Sequence, residues 1–499
     1  MAHGADRHSV LAPRSRLYQG PFGRIFPNLD PWSPPGVTEA SIPDHLMGIA
    51  QTMIEAPGMS PTQAAGNAQL RTGPFNSTSI PVGYTYFGQF VDHDITFDPA
   101  SSLMRQNDPE GLLNHRTPRL DLDNVYGRGK DDSPYLYDND DPRKLLIGAI
   151  PGTTFTDLPR NAQGRALIGD ARNDENAIVA QLHLAFLRAH NTLVDRASKA
   201  LMADPFEAAR KTLRWLYQFI VWNDFIARIT LPDVHAAALE LKATPDGRLE
   251  WSAGLEDVYK WKNQPFIPIE FSVAAYRFGH SMVRNEYQTN LARGVGNFVP
   301  IFDNTGATEP ADLRGSRPMT LLNSVQWDWF FEMSSSRKPD FPQMGRKIDT
   351  KLANALTALH IGKVGSTDNI LAFRNLLRGF RFGLPSGTSV ARRLGVIPIA
   401  IEPEKDALWF YILKEAETLT GALAGEKLGR VGSIIVCATF AGLLKGDPMS
   451  FLNQRPTWTP DDDPLLTSAE KADENKWTVA SIIRLSGLPV AGGAFTQPS

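Results

Sequence analysis

Six positions of an otherwise apolar, aromatic stretch, residues 87–97, hold a glutamine, a histidine and two aspartates: Gln89, Asp92, His93 and Asp94. At helical spacing Gln89, Asp92 and His93 share one face, because positions three and four apart are neighbours. Imidazole is the side chain that exchanges protons near neutral pH, and polar groups of this kind are costly to bury without partners. Taken alone, the motif reads more readily as a satisfied histidine beside a helix end, with its aspartates in solvent.

The elements that must position these residues are mainly helical. Apolar residues recur at helix spacing over residues 178–201, through Val179, Leu182, Phe186, Leu193 and Val194. Asp204-Pro205 is a cap followed by proline at the first helical position, and predicts a helix over 205–229. Further helices are predicted near 273–286, 318–332, 348–360, 366–379, 407–421, 426–445 and 477–486. Strand signals are few and short, and there is no internal repeat. Residues 1–80, rich in proline and glycine, read as an arm and loops packed on a body formed by residues 81–499. The fold class is therefore mainly α: one large helical domain with long loops and little β.

Composition narrows the function. The chain has 499 residues, 42% hydrophobic and 21% charged, which is ordinary for a soluble globular protein. A net charge of -3 gives no reason to expect a nucleic-acid partner. The single cysteine, Cys437, excludes an internal disulfide framework and any multi-cysteine metal site. Residues 1–19 are polar and basic, with no apolar core of a secretory signal. The longest apolar run, 431–444, is too short to span a bilayer. The expectation is a soluble chain, either cytoplasmic or exported by a route without an N-terminal signal.

Three further segments accompany the first: Gly169-Asp170-Ala171-Arg172-Asn173-Asp174-Glu175-Asn176, Tyr276-Arg277-Phe278-Gly279-His280 and Arg374-Asn375-Leu376-Leu377-Arg378-Gly379. In this order the four resemble the animal-type haem peroxidases, the peroxidase–cyclooxygenase superfamily of myeloperoxidase and lactoperoxidase. The resemblance runs from about Tyr84 to Gly395 and more loosely to the C-terminus. Each piece alone is weak; four in the right order are strong.

The resemblance implies a helical body holding haem b, and a role for each matching residue. His280 matches the proximal iron ligand, and Asn375 the amide that orients its other ring nitrogen. His93 matches the distal base that moves the peroxide proton, Arg172 the distal cation, and Gln89 a glutamine that holds distal water. Asp92 and Glu175 match carboxylates that esterify haem methyl groups. Asn176 stands where a third link would need methionine, so two links are the most expected. Arg277 and Arg378 match arginines beside the haem propionate and pyrrole edge. Residues 117–127 resemble a calcium loop, with Thr117, the Arg119 carbonyl, Asp121, Asp123 and, from beside His93, Asp94 as oxygen ligands for Ca²⁺. Arg119 and Asp123 depart from the family's aromatic residue and serine.

The activity implied is reduction of hydrogen peroxide with oxidation of halide, thiocyanate or small phenolic donors. Two alternatives stand beside it: a haem-dependent fatty-acid dioxygenase of the same superfamily, and a non-enzymatic calcium-binding or adhesion member. Cyclooxygenases carry a radical tyrosine three residues before the proximal histidine. Here that position is Arg277, and the neighbouring Tyr276 is expected to point elsewhere on its helix.

Overall fold

The computed structural model describes residues 22–96, 116–261, 264–291, 294, 296–302, 312–333, 341–359, 366–472 and 475–489. Residues 1–21 of the expected arm, and Phe97 at the end of the first motif, lie outside the described residues. Eight helices build the body around the site: α1 (Ile42–Thr52), α2 (Gly83–Ile95), α3 (Ala177–Lys199), α4 (Pro205–Ile220), α5 (Leu371–Arg381), α6 (Leu408–Glu417), α7 (Arg430–Gly446) and α8 (Val479–Ser486). Strands form only two-stranded pairs among the described residues. This is the mainly α architecture expected.

Each central helix has a local cause. The Asn176 side chain accepts from the amides of Ile178 and Val179 and so starts α3. The helix is buried on all sides from Ala177 to Leu187, the pattern of a core helix rather than an amphipathic one. Asp204 caps α4 through the Glu207 amide, with Pro205 at the first position. Helix α2, which carries the first motif, has no side-chain cap. Its N-terminus is instead fixed by tertiary contacts: the amides of Val82 and Gly83 donate to the carbonyls of Gln343 and Phe330, each at 2.9 Å. Only glycine fits at position 83, because a Cβ there would stand 2.5 Å from the Phe330 carbonyl oxygen and the Phe331 ring. Helix α2 then packs on α3 and α4 through stacked Phe90 and Phe186, with centroids 4.4 Å apart, and through the edge contacts of Tyr217 with Phe87 and Phe90.

Three of the expected helices take other forms. Residues 273–286 are a π-helical turn, Glu270–Ala274, followed by a 3₁₀ helix, Ala275–His280. Residues 318–332 hold only the 3₁₀ turns Leu321–Asn323 and Trp327–Trp329, and the described part of 348–360, up to 359, only Asn354–Thr357. In these stretches backbone amides pair with remote segments: Gln326 with Thr289, Trp327 with Pro489, Ile348 with Gly425 and Leu352 with Met53. Tertiary pairing has replaced the helical ladder that the apolar spacing suggested. Conversely, residues 22–80 include α1, which packs against α5, so this region is more than loops.

Candidate active site

One cavity of about 570 Å³ is lined by His93 of α2 and by His280 at the end of the 3₁₀ helix. Gln89, Asp92, Glu175, Asn176 and Arg277 line it too. This volume lies in the range of small-molecule and cofactor sites. The helical spacing of the first motif thus has the consequence expected: Gln89, Asp92 and His93 face one space, and Asp94 faces away from it.

His93 is 5% exposed. Its Nδ1 lies 2.7 Å from Asn173 Oδ1, which leaves Nε2 as the ring nitrogen on the cavity side. Burial, and then the nearby Arg172 cation, lower its pKa to about 4, so the ring is neutral at physiological pH. Arg172 itself is not among the lining residues. Its guanidinium is turned to Asp170 at 2.7 Å and to the carbonyls of His93 and Thr96 at 3.0 and 2.5 Å. It sits behind the histidine and braces the C-terminal end of α2. The turn carrying it is fixed from several sides: Asp170 accepts from the Arg172 amide at 2.9 Å, and Arg160 forks onto Asp174 at 2.6 and 2.8 Å.

On the other histidine, His280 Nδ1 lies 2.7 Å from Asn375 Nδ2, and Asn375 Oδ1 accepts from Arg277 at 3.2 Å. Burial and the Arg277 charge lower the His280 pKa to about 3. Asn375 is buried on α5, and Trp409 of α6 donates to the Arg277 carbonyl at 3.2 Å. Helices α5 and α6 therefore position this segment. Arg378 lies outside the lining and stacks 5.0 Å over Phe382.

Glu175 opens onto the cavity, and burial raises its carboxyl pKa. Gln89 Oε1 accepts from Asn176 Nδ2 at 3.2 Å, the same asparagine whose Oδ1 caps α3. Tyr276 does not point elsewhere, as the sequence suggested. It lines the cavity, and its hydroxyl donates to the Gly88 carbonyl at 3.2 Å. The cavity wraps the 3₁₀ helix widely enough that every residue from Tyr276 to His280 touches it.

On the far side of α2, Asp94, Asp121 and Asp123 bring carboxylate oxygens within 4.8 Å of one another. Asp94 is fully buried, and one of its oxygens has no hydrogen-bond partner. Burial, and then Asp121 and Asp123, hold its carboxyl well above the usual range. Thr117 donates to Asp121 at 2.6 Å, and Arg116 bridges Asp123 at 3.1 Å and Asp170 at 2.6 Å. The Arg119 amide donates to the Thr117 carbonyl at 2.8 Å, which turns this stretch back on itself. Sequence reasoning missed Arg116, Asn173 and the buried His183, which lies 2.9 Å from Asn173 Nδ2. None of the three has a spacing signal.

The animal haem peroxidase family profile matches residues 101–293. Over that segment, 193 of the 499 residues, the chain is similar to the animal haem peroxidases. It is 27% identical over 308 residues to thyroid peroxidase of Canis lupus familiaris, covering 59% of this chain and 28% of that protein. A peroxidase-like protein of Margaritifera margaritifera is 35% identical over 260 residues, covering 40% and 31%. The chain thus spans less than a third of the length of these relatives. Among solved structures, peroxidase A from Dictyostelium discoideum superposes with a TM-score of 0.59 at 16% identity, covering 90% of this chain and 92% of that one. An Arabidopsis thaliana fatty acid alpha-dioxygenase gives 0.50 at 14%, covering 86% and 74%. At these identities the structures speak for the fold alone.

Haem is the group this family implies. The cavity fits it by chemistry: two neutral imidazoles, His93 buried and His280 half-buried, a half-buried guanidinium at Arg277 and room for a cofactor. No helix among the described residues is long and apolar enough to cross a membrane.

Proposed function

We propose that the chain is a haem peroxidase, reducing hydrogen peroxide and oxidising small donors such as halide, thiocyanate or phenols. The observation that carries this reading is the pair of imidazoles on one cavity, each with Nδ1 against a buried asparagine amide. When bound, haem b would supply the redox-active iron. His280 would hold it through Nε2, which puts the ring proton on Nδ1. Asn375 must then present Oδ1 to that proton, the reverse of its present sense, and Arg277 must release it. Amide orientation follows the hydrogen-bond network in this way.

His93, neutral and with Nε2 toward the cavity, would take the peroxide proton and return it to the departing oxygen. Gln89 would hold water beside it. Arg172 would act from behind the ring, keeping it unprotonated and fixing the end of α2. Asp92 and Glu175 would lie against haem edges, where ester bonds can form. Arg277 and Arg378 would balance negative charge on the cofactor. Ca²⁺ would sit among Asp94, Asp121 and Asp123, with the Thr117 hydroxyl and the Arg119 carbonyl.

A second reading, fatty-acid dioxygenation, is favoured by one observation: Tyr276 touches the cavity. Turnover of the haem-loaded protein separates the two. The peroxidase reading expects peroxide-dependent oxidation of iodide or a phenol. Oxygen uptake with an unsaturated fatty acid, and no peroxide-dependent oxidation, would replace it with the second.

A further inference from the structure

We infer that Asn173 and His183 form a buried support that fixes His93 with its proton on Nδ1 and its Nε2 lone pair toward the cavity. The reaction this serves rests on the peroxidase reading; the support itself rests on geometry. Three elements meet here. His93 is on α2, Asn173 on the 3₁₀ turn Ala171–Asp174, and His183 on α3. Asn173 and His183 are fully buried. The chain of contacts is His93 Nδ1 to Asn173 Oδ1 at 2.7 Å, then Asn173 Nδ2 to His183 Nδ1 at 2.9 Å.

A carboxamide is directional: one end accepts and the other donates. With Oδ1 on His93, the buried Nδ2 needs an acceptor, and leaving it unpaired costs about 1–3 kcal/mol. His183 Nδ1 is that acceptor, which puts that ring's own proton on Nε2, a buried nitrogen without a hydrogen-bond partner among the described residues. Burial lowers the His183 pKa to about 3, so its ring is uncharged and can offer a lone pair. The turn cannot easily swing away. Besides the Asp170 and Arg160 contacts, the amides of Ser316 and Gly315 donate to the carbonyls of Asp174 and Glu175 at 2.6 and 2.9 Å.

Reversing the amide would hand a donor to His93 Nδ1, place the ring proton on Nε2 and leave nothing on the cavity side to accept a proton. Asn173 therefore decides whether His93 can act as a base. It is a positioning residue, and His183, whose Nδ1 meets the far end of the same amide, acts through it.

The test is the tautomer. Histidine-labelled, full-length holoprotein is prepared in its diamagnetic ferrous carbon monoxide form. The ¹⁵N shifts of His93 are assigned by their loss in His93→Gln. The expected result is a protonated Nδ1 and a bare Nε2; a proton on Nε2 in wild type overturns the inference. The same shifts can be read in the haem-free chain. His183→Phe keeps ring volume and removes the acceptor, and should convert His93 to a mixture of tautomers. Asn173→Ala should do the same and slow the reaction with peroxide at least about 10-fold, short of the roughly 10²–10⁴-fold from losing the base itself. Unchanged His93 shifts in both variants also overturn it. A wild type with the Nδ1 proton that does not react with peroxide overturns the peroxidase reading and not the support.

Discussion

Replacing Asp94 by asparagine should reverse its effect on stability according to whether calcium is present. The carboxylates of Asp94, Asp121 and Asp123 lie within 4.8 Å of one another. At that separation and an effective dielectric of about 20, each charged pair repels by about 3 kcal/mol. Asp94→Asn removes two of the three pairs. Proton uptake already relieves much of this strain, since burial and its two neighbours hold the Asp94 carboxyl well above the usual range. The net relief in the metal-free chain should then be on the order of 1–2 kcal/mol, within the usual span of single substitutions. The asparagine oxygen can still accept from the Leu122 amide, as Asp94 does at 3.3 Å. With Ca²⁺ at about 100 times its dissociation constant, wild type gains about 2.7 kcal/mol from binding, and a variant with one carboxylate fewer gains less. Urea midpoints with EGTA and with calcium measure both arms. A variant less stable than wild type in both conditions, by the same margin, would refute the reasoning and make the cluster a structural one.

Other predictions concern the cavity and the core. His93→Ala should retain haem but slow the reaction with peroxide by roughly 10²–10⁴-fold, about 3–5 kcal/mol on the barrier; stopped-flow absorbance at the Soret band reads it, and a wild-type rate would assign the proton transfer elsewhere. Asp92 and Glu175 should each form an ester to a haem methyl during peroxide exposure. The methyl carbon gains a C–O bond and loses one hydrogen, while peroxide accepts two electrons and leaves as water and hydroxide. Mass spectrometry of the denatured protein should show attachment that grows with peroxide treatment, single in Glu175→Gln and absent in the double variant; free haem from treated wild type would contradict it. Glu415, buried on α6, has its pKa raised to about 7 by burial. The folded state holds its proton longer than the unfolded one, so stability falls as pH rises from about 4.5 to about 7, by on the order of 3 kcal/mol. Glu415→Gln, which can still accept from the Val431 amide, should flatten urea midpoints across that window; an unchanged slope would contradict this.

The sequence was legible where local signals and burial agree. Helix α3 spans Ala177–Lys199 against an expected 178–201, because Asn176 caps it and its apolar spacing is regular. Pro205 fixed the start of α4, but the π turn Val221–Ile226 beyond it has no sequence signature. Residues 318–332 misled because Trp327, Phe330 and Phe331 are apolar at helical spacing yet are buried from several directions. The faces of α2 were readable from spacing alone. The direction of Arg172 was not: it depends on Asp170 and on two carbonyls at the end of α2, partners that only the fold brings together. Asn173 was silent for the same reason, since its partners lie 80 residues before it and 10 after. Tyr276 was misplaced because ordinary helical winding was assumed where the chain is 3₁₀.

The most direct test of the account is the visible spectrum of the protein reconstituted with haem b, beside that of His280→Ala. Wild type should bind one haem and show a Soret band with the resonance Raman signature of an imidazole-ligated iron. The variant should lose or severely weaken that band, because His280 is the imidazole assigned to the iron. A wild type that takes up no haem, or a variant with the same histidine-ligated spectrum, would contradict the central claim that this cavity holds haem through His280.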